Sequence, residues 1–184
     1  MPSEEHEYHV ANRNQVLNET EYKTLQGKVF SVSGVFSGVN DGTSSYVHIT
    51  TGDRPVSMRL DAASTGAFIS RFYEDQGSMD VTTDGTDKEP EALNRANSET
   101  LSGSLAFNQD PTVTNTGTEI LREVNGGSSG GAGPNDSAPG ATAPSFVILA
   151  PNTEYLLELE DTTSDTNPDD LSYGFGFWES KFDF

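Results

Sequence analysis

Apolar residues along this chain come in short runs that alternate with polar ones and are broken by clusters of Gly, Asn, Asp and Pro. No stretch carries the three-to-four-residue repeat of an amphipathic helix. The run at 28–39 (KVFSVSGVFSGV) sets Val29, Phe30, Val32, Val35 and Phe36 among Ser and Gly and stops at the turn Asn40-Asp41-Gly42. Ser45–Thr50 is a second predicted strand, carrying Tyr46, Val47 and Ile49. Thr51-Gly52-Asp53 leads it into a third, Val56–Leu60, where Val56, Met58 and Leu60 share a face, and the two are expected to form a hairpin. Further strands are expected at Ala67–Glu74, Met79–Thr82, Leu101–Phe107, Thr118–Val124, Phe146–Leu149, Glu154–Glu160 and Tyr173–Glu179. Short strands at this spacing predict an all-β chain folded as a single β-sandwich, jelly-roll-like.

Two segments stand apart from this pattern. Residues 1–27 are polar, with Tyr8, Val10, Val16, Leu17, Tyr22 and Leu25 scattered without a period. They are read as an N-terminal arm, either extended over a neighbouring subunit or a partly disordered leader. Residues 125–144 (NGGSSGGAGPNDSAPGATAP) are low in complexity and hold too little apolar surface to offset their ordering entropy. Only about forty residues follow, too few for a core of their own, so the segment is expected to be a loop within one domain spanning 28–184.

Charge changes the picture most. Twenty-nine acidic residues face ten basic ones, of which four are lysine, for a net charge of −19. Such a surface is self-repelling in dilute buffer and tolerable where concentrated salt screens it within a few ångströms, which points to adaptation to a saline environment over an ordinary acidic protein. Nucleic acid and anionic membranes are not expected partners, because affinity for phosphates rests on Lys and Arg. The chain has no cysteine, which removes disulfides, thiolate nucleophiles and sulfur-ligated zinc. The acidic start MPSEEHEYHV lacks the apolar core of a secretory signal, and no apolar run reaches membrane-spanning length.

Candidate chemistry is sparse. Asp80–Glu91 (DVTTDGTDKEPE) places Asp80, Thr82 and Asp84 at the first, third and fifth positions of a calcium loop, Gly85 at the sixth and Glu91 at the twelfth. A strand precedes it and Pro90 disrupts its end, so a solvated turn is the favoured reading, with Asp80, Asp84 and Glu91 kept as metal candidates. Asp161–Asp170 (DTTSDTNPDD) gathers four aspartates and could hold a hard cation through oxygen ligands, although a charged turn is the simpler reading. His6 and His9 lie in the arm with no third ligand indicated for a transition metal, and His48 is expected to point to solvent from its strand. The sequence holds no P-loop or H-E-x-x-H, so neither an enzyme nor a cofactor is expected. In Tyr173-Gly174-Phe175-Gly176-Phe177-Trp178 the aromatic residues could stack on sugar; a strand whose rings enter the core while glycine lets the facing sheet approach is favoured.

Six short motifs occur in one order: Phe72-Tyr73-Glu74; Asp84-Gly85-Thr86; Leu93-Asn94-Arg95; Asp110-Pro111-Thr112-Val113 leading to Thr116-Gly117-Thr118; Leu149-Ala150-Pro151-Asn152-Thr153-Glu154-Tyr155-Leu156; and Phe177-Trp178-Glu179. Over Val29–Glu179 this order resembles a family of small β-sandwich head proteins of tailed phages. The loop before Phe146 and the aspartate-rich stretch before Tyr173 are longer than that family's pattern. The resemblance, with the salt signature, implies a structural virion protein of a haloarchaeal tailed virus: a capsid decoration or vertex turret component, assembled in the host cytoplasm and displayed on the capsid surface. Its implied partners are further copies of itself, as a trimer or pentamer, and the major capsid protein or other virion proteins. Glu74, Asn94, Arg95, Tyr155 and Trp178 are the implied structural and assembly residues, with Arg95 pairing to Glu74 or another carboxylate. A receptor- or carbohydrate-binding virion module is the rival reading, with its site on the exposed loops. An envelope-directed esterase or glycosidase is the enzyme alternative.

Overall fold

Period-two alternation buries one face of each long strand, and in the computed structural model those faces meet across a two-layer sandwich. The structure describes residues 23–24, 26–83, 85–94, 96, 101, 105–125, 147–164 and 167–179. Among them every regular element is a β-strand: β1 (Phe30–Val39), β2 (Ser44–Thr50), β3 (Val56–Ser64), β4 (Phe68–Glu74), β5 (Asp80–Thr83), β6 (Thr86–Asp87), β7 (Glu91–Ala92), β8 (Ala106–Gln109), β9 (Thr112–Asn115), β10 (Thr118–Asn125), β11 (Val147–Leu149), β12 (Glu154–Asp161) and β13 (Asp169–Glu179). None of these residues forms a helix long and apolar enough to cross a membrane.

The first sheet runs β11-β3-β13-β1-β7 and the second β10-β4-β12-β2-β8-β6, with β5 and β9 as a separate ribbon. Eight strands carry a jelly roll. Successive members alternate between the sheets, except β4 and β10, which are neighbours, and the last two, β12 and β13, each insert between strands laid down earlier. Connections 40–43, 65–67 and 162–168 are short, so each joins strands that face one another, which stacks β1 over β2, β3 over β4 and β13 over β12. By the same stacking, β10 and β11 lie along one side of the sandwich. The excursion between β4 and β10 closes the opposite side, adding β6 and β8 beyond β2 and β7 beyond β1. Gly85 makes this possible at one point: its φ is +76°, and a Cβ there would lie 2.3 Å from the Gln109 carbonyl oxygen.

The core interleaves Val32, Phe36, Met58, Leu60, Phe175 and Phe177 of the first sheet with Ile49, Phe72, Phe107, Tyr155, Leu157 and Leu159 of the second. Phe107 crosses the gap to meet Phe175 and Phe177, with ring centroids 5.4 and 5.2 Å away. Several expectations change. The 45–60 hairpin does not form, because β2 and β3 belong to different sheets. Thr51 shows why: its Oγ1 donates to the Ala150 carbonyl at 2.7 Å and accepts the Thr153 N–H at 2.9 Å, binding the 51–55 connection to the 150–153 turn. Of the strand expected over Leu101–Phe107, residues 102–104 lie outside the described residues and β8 starts at Ala106, while β6, β7 and β9 are polar bridges with no apolar pattern to announce them. Tyr173, Phe175 and Phe177 do enter the core, but Gly174 and Gly176 face outward, where an added Cβ would meet nothing within 4 Å, so they do not serve close approach of the other sheet. Asp169 and Asp170, read as part of a turn, open β13. Of the arm, residues 1–22 and 25 lie outside the described residues, as do residues 126–146 of the low-complexity loop.

Leu159→Ala, which removes a fully buried side chain, should cost about 2–5 kcal/mol in chemical denaturation. Gly174→Ala, on the open outer face, should instead be neutral or stabilising by about 0.4–1 kcal/mol in the same measurement.

Candidate functional site

The sequence EYLLELED makes β12 two-faced: Tyr155, Leu157, Leu159 and Asp161 point inward, and Glu154, Leu156, Glu158 and Glu160 outward. Register sets Glu158 between Tyr46 of β2 and Arg71 of β4 on the outer face of the second sheet. Its carboxylate is buried there and takes four hydrogen bonds. Ser44 and Tyr46 donate to Oε1 at 2.6 and 3.2 Å, and Tyr73 and Arg71 to Oε2 at 2.6 and 3.0 Å. The Arg71 guanidinium also reaches Glu160 at 2.6 Å and, more loosely, Glu119 at 3.9 Å. Three strands are therefore tied through one carboxylate and one guanidinium.

Electrostatics follow from this geometry. Burial pushes the Glu158 carboxyl up, but hydrogen bonds from Ser44, Tyr73 and Arg71 outweigh it and hold it below its ordinary range. Burial likewise pushes Arg71 down, and its bonds to Glu160 and Glu158 overcome that and raise it. Burial and the adjacent Glu158 charge raise the Tyr73 and Tyr46 hydroxyls. A carboxylate with both oxygens engaged has no acceptor position left for a substrate proton, so the cluster works as a clamp between strands. On the same face His48 Nε2 lies 3.0 Å from Glu154 Oε2. His48 does point away from the core as expected, yet it is buried instead of solvated.

The residues singled out in the sequence fall in several places. Glu74 and Tyr155 come together: the Tyr155 hydroxyl donates to Glu74 Oε1 at 3.0 Å and accepts the Ala150 N–H at 2.8 Å. Burial raises that hydroxyl to about 12. The Leu149–Leu156 motif is thus a corner, in which Asn152 at φ 52° turns the chain and Tyr155 reaches back to hold it. Asn94 Oδ1 accepts the Ala96 N–H at 3.1 Å, and Arg95 lies outside the described residues. Trp178 is buried on the outer face of the first sheet, with Lys23 Nζ 4.6 Å from its ring centroid. Asp80 accepts the Thr114 hydroxyl at 2.5 Å across the β5–β9 ribbon, Glu91 sits on β7 at the edge of the first sheet, and Asp84 is outside the described residues. No group of three or more His, Cys, Asp or Glu side chains converges among the described residues.

The Glu158 clamp escaped the sequence reading. Its available signal was the outward row Glu154, Glu158 and Glu160, together with an arginine set between the outward Ile69 and Tyr73 of β4. Comparison with protein-family models, curated proteins and solved structures finds no match.

Glu158→Gln should cost about 1.5–3 kcal/mol near neutral pH by denaturant unfolding. Because the folded state holds Glu158 below its ordinary value, the clamp's contribution is complete above roughly pH 5 and is lost as pH falls through the lowered value. The substitution should accordingly flatten the acid limb of the stability profile. Tyr73, raised in the folded state, should add a second loss above about pH 10 that Tyr73→Phe removes.

Proposed function

We propose that this chain is a structural component of a virion, a capsid decoration or vertex turret protein of a tailed virus living in concentrated salt, acting by docking to copies of itself and to the shell. The observation that carries this reading is the β10/β11 side of the sandwich. Among the described residues both strands end their sheets there, and each edge exposes aliphatic side chains, Ile120 and Val124 on β10 and, on the opposite outer face, Ile148 on β11, in a chain of net charge −19. Unpaired strand edges bearing aliphatic side chains are suited to association. Molar salt brings the screening length to about 3 Å, which lets such acidic bodies pack. The order of motifs from Phe72 to Glu179 adds the resemblance to phage head proteins.

The carbohydrate-binding alternative is less well supported: among the described residues every aromatic ring is buried or half-buried, leaving none to stack on a sugar. Catalysis is less favoured for a related reason, since the most enclosed carboxylate on the sheet surfaces, Glu158, is fully hydrogen-bonded.

Sedimentation in molar salt should show a closed oligomer that dissociates on dilution to tens of millimolar. Val124→Lys with Ile148→Lys should yield monomers of unchanged circular dichroism even in high salt. Density mapping of intact particles should place the protein on the head. A monomer in molar salt, or a position at the tail tip, would contradict the proposal.

A further inference from the structure

Connections 40–43, 65–67 and 162–168 meet at one end of the sandwich. Gly42 N there donates to the Asp161 carbonyl at 2.8 Å, and Thr162 N to the Ala67 carbonyl at 2.9 Å. Two aspartates close the core beneath them. Asp161 ends the inward row of β12 in register with the buried Phe68, and Asp169 begins the inward row of β13 in register with the buried Val39. They approach the space between the layers from opposite sheets. Asp161 is 0 % exposed.

One oxygen of each carboxylate is engaged: Asp161 Oδ1 accepts the Thr163 N–H at 2.8 Å, and Asp169 Oδ1 accepts the Thr65 hydroxyl at 2.6 Å. The other oxygen of each, Oδ2, is buried without a hydrogen-bond partner. No ion pair with Lys, Arg or His reaches either residue among the described residues. An ionised carboxylate oxygen shut away from water is strongly disfavoured unless a positive group meets it, and two such groups in one end of a core add their mutual repulsion.

Gly66 supplies an independent observation. A Cβ built on it would lie 2.0 Å from Asp169 Oδ2 and 2.1 Å from Thr163 Oγ1. Its backbone is outside the left-handed region, so the conformation does not demand glycine. The space does. Leaving out one side chain lets a carboxylate oxygen and a hydroxyl close in on the same point, the hydroxyl keeping its second lone pair after accepting the Ala67 N–H at 2.8 Å.

We propose that this end of the sandwich binds one hard cation of the Ca²⁺ class, held by Asp161 Oδ2, Asp169 Oδ2 and Thr163 Oγ1. Two carboxylates with hydroxyl, carbonyl and water oxygens are the mixed donor set that calcium accepts, whereas zinc favours nitrogen and sulfur. The ion neutralises the facing charges and fastens the 162–168 connection to the 65–67 turn, joining the sheets where the core would otherwise end on like charge. The site is distinct from the Asp80–Glu91 segment and does not depend on the virion reading.

The test uses the full chain, stripped with chelator and held at constant ionic strength in KCl, titrated with CaCl₂ and followed by calorimetry and thermal unfolding. One saturable site per chain and a melting temperature raised by several degrees are expected. Asp169→Asn and Gly66→Ala should each weaken binding by about tenfold or more while circular dichroism stays unchanged. Asp53→Asn, on the 51–55 connection, should bind as the parent does. These two variants carry the test because Asp161→Asn alters a fully buried position and risks unfolding. Absence of saturable heat and thermal shift in the parent, or equal affinity in Asp169→Asn and Gly66→Ala, as a bound water or loose counter-ions would give, sinks the site.

Discussion

The fold depends on the central placement of its last two strands. β12 is hydrogen-bonded to β2 and β4, and β13 to β1 and β3, so neither sheet is continuous until residues 154–179 are in place. Most tertiary contacts are consequently distant in sequence, and closing such loops costs entropy before any pairing returns stability. Both strands are rich in large apolar side chains for this reason: Tyr155, Leu157 and Leu159 on one, Leu171, Tyr173, Phe175 and Phe177 on the other, all buried. The strands that must displace water from both neighbours carry the largest hydrophobic surface.

Wherever alternation was strong, the strands were legible in the sequence, and β1, β4, β10 and β12 lie close to where the pattern puts them. Pairing was less legible, because period two says which residues share a face and nothing about which strand lies alongside. Val56, Met58 and Leu60 do share a face, but β3 pairs with β13, over a hundred residues on, and with β11, and not with the adjacent β2. Glycine at 174 and 176 was ambiguous for the same reason: the pattern separates two faces without saying which is covered. Glu158 was hidden by composition. Among twenty-nine acidic residues, one that will be enclosed looks like those that stay in water until the register sets Arg71, Tyr73 and Tyr46 around it. The Glu74–Tyr155 corner lay within motifs picked out for a resemblance, and its structural role is to hold a turn.

Scarcity of positive charge gives Arg71 its importance. One guanidinium lies among Glu158, Glu160 and Glu119, and the neutral donors Ser44, Tyr46 and Tyr73 supply what further cations would otherwise provide. Hydroxyl groups add no charge, so they compensate a buried carboxylate without attracting the surrounding carboxylates or needing partners of their own in salt. The same economy appears in Tyr155 with Glu74 and in Tyr173, whose hydroxyl donates to Gln109 at 3.1 Å.

The outward row of β13 reads Asp170, Ser172, Gly174, Gly176, Trp178, flanked by Ser31 and Ser33 on β1 and by Ser57 and Ala63 on β3. Arg59 and Asp61 nearby cancel one another at 3.1 Å. Glycine cannot bear a carboxylate, so this strip is an electrically quiet window in an otherwise negative coat. Gly174 and Gly176 lie directly beside Asp61 and Arg59 of β3, so a neighbouring surface meets there a neutralised pair and short side chains in place of a row of carboxylates.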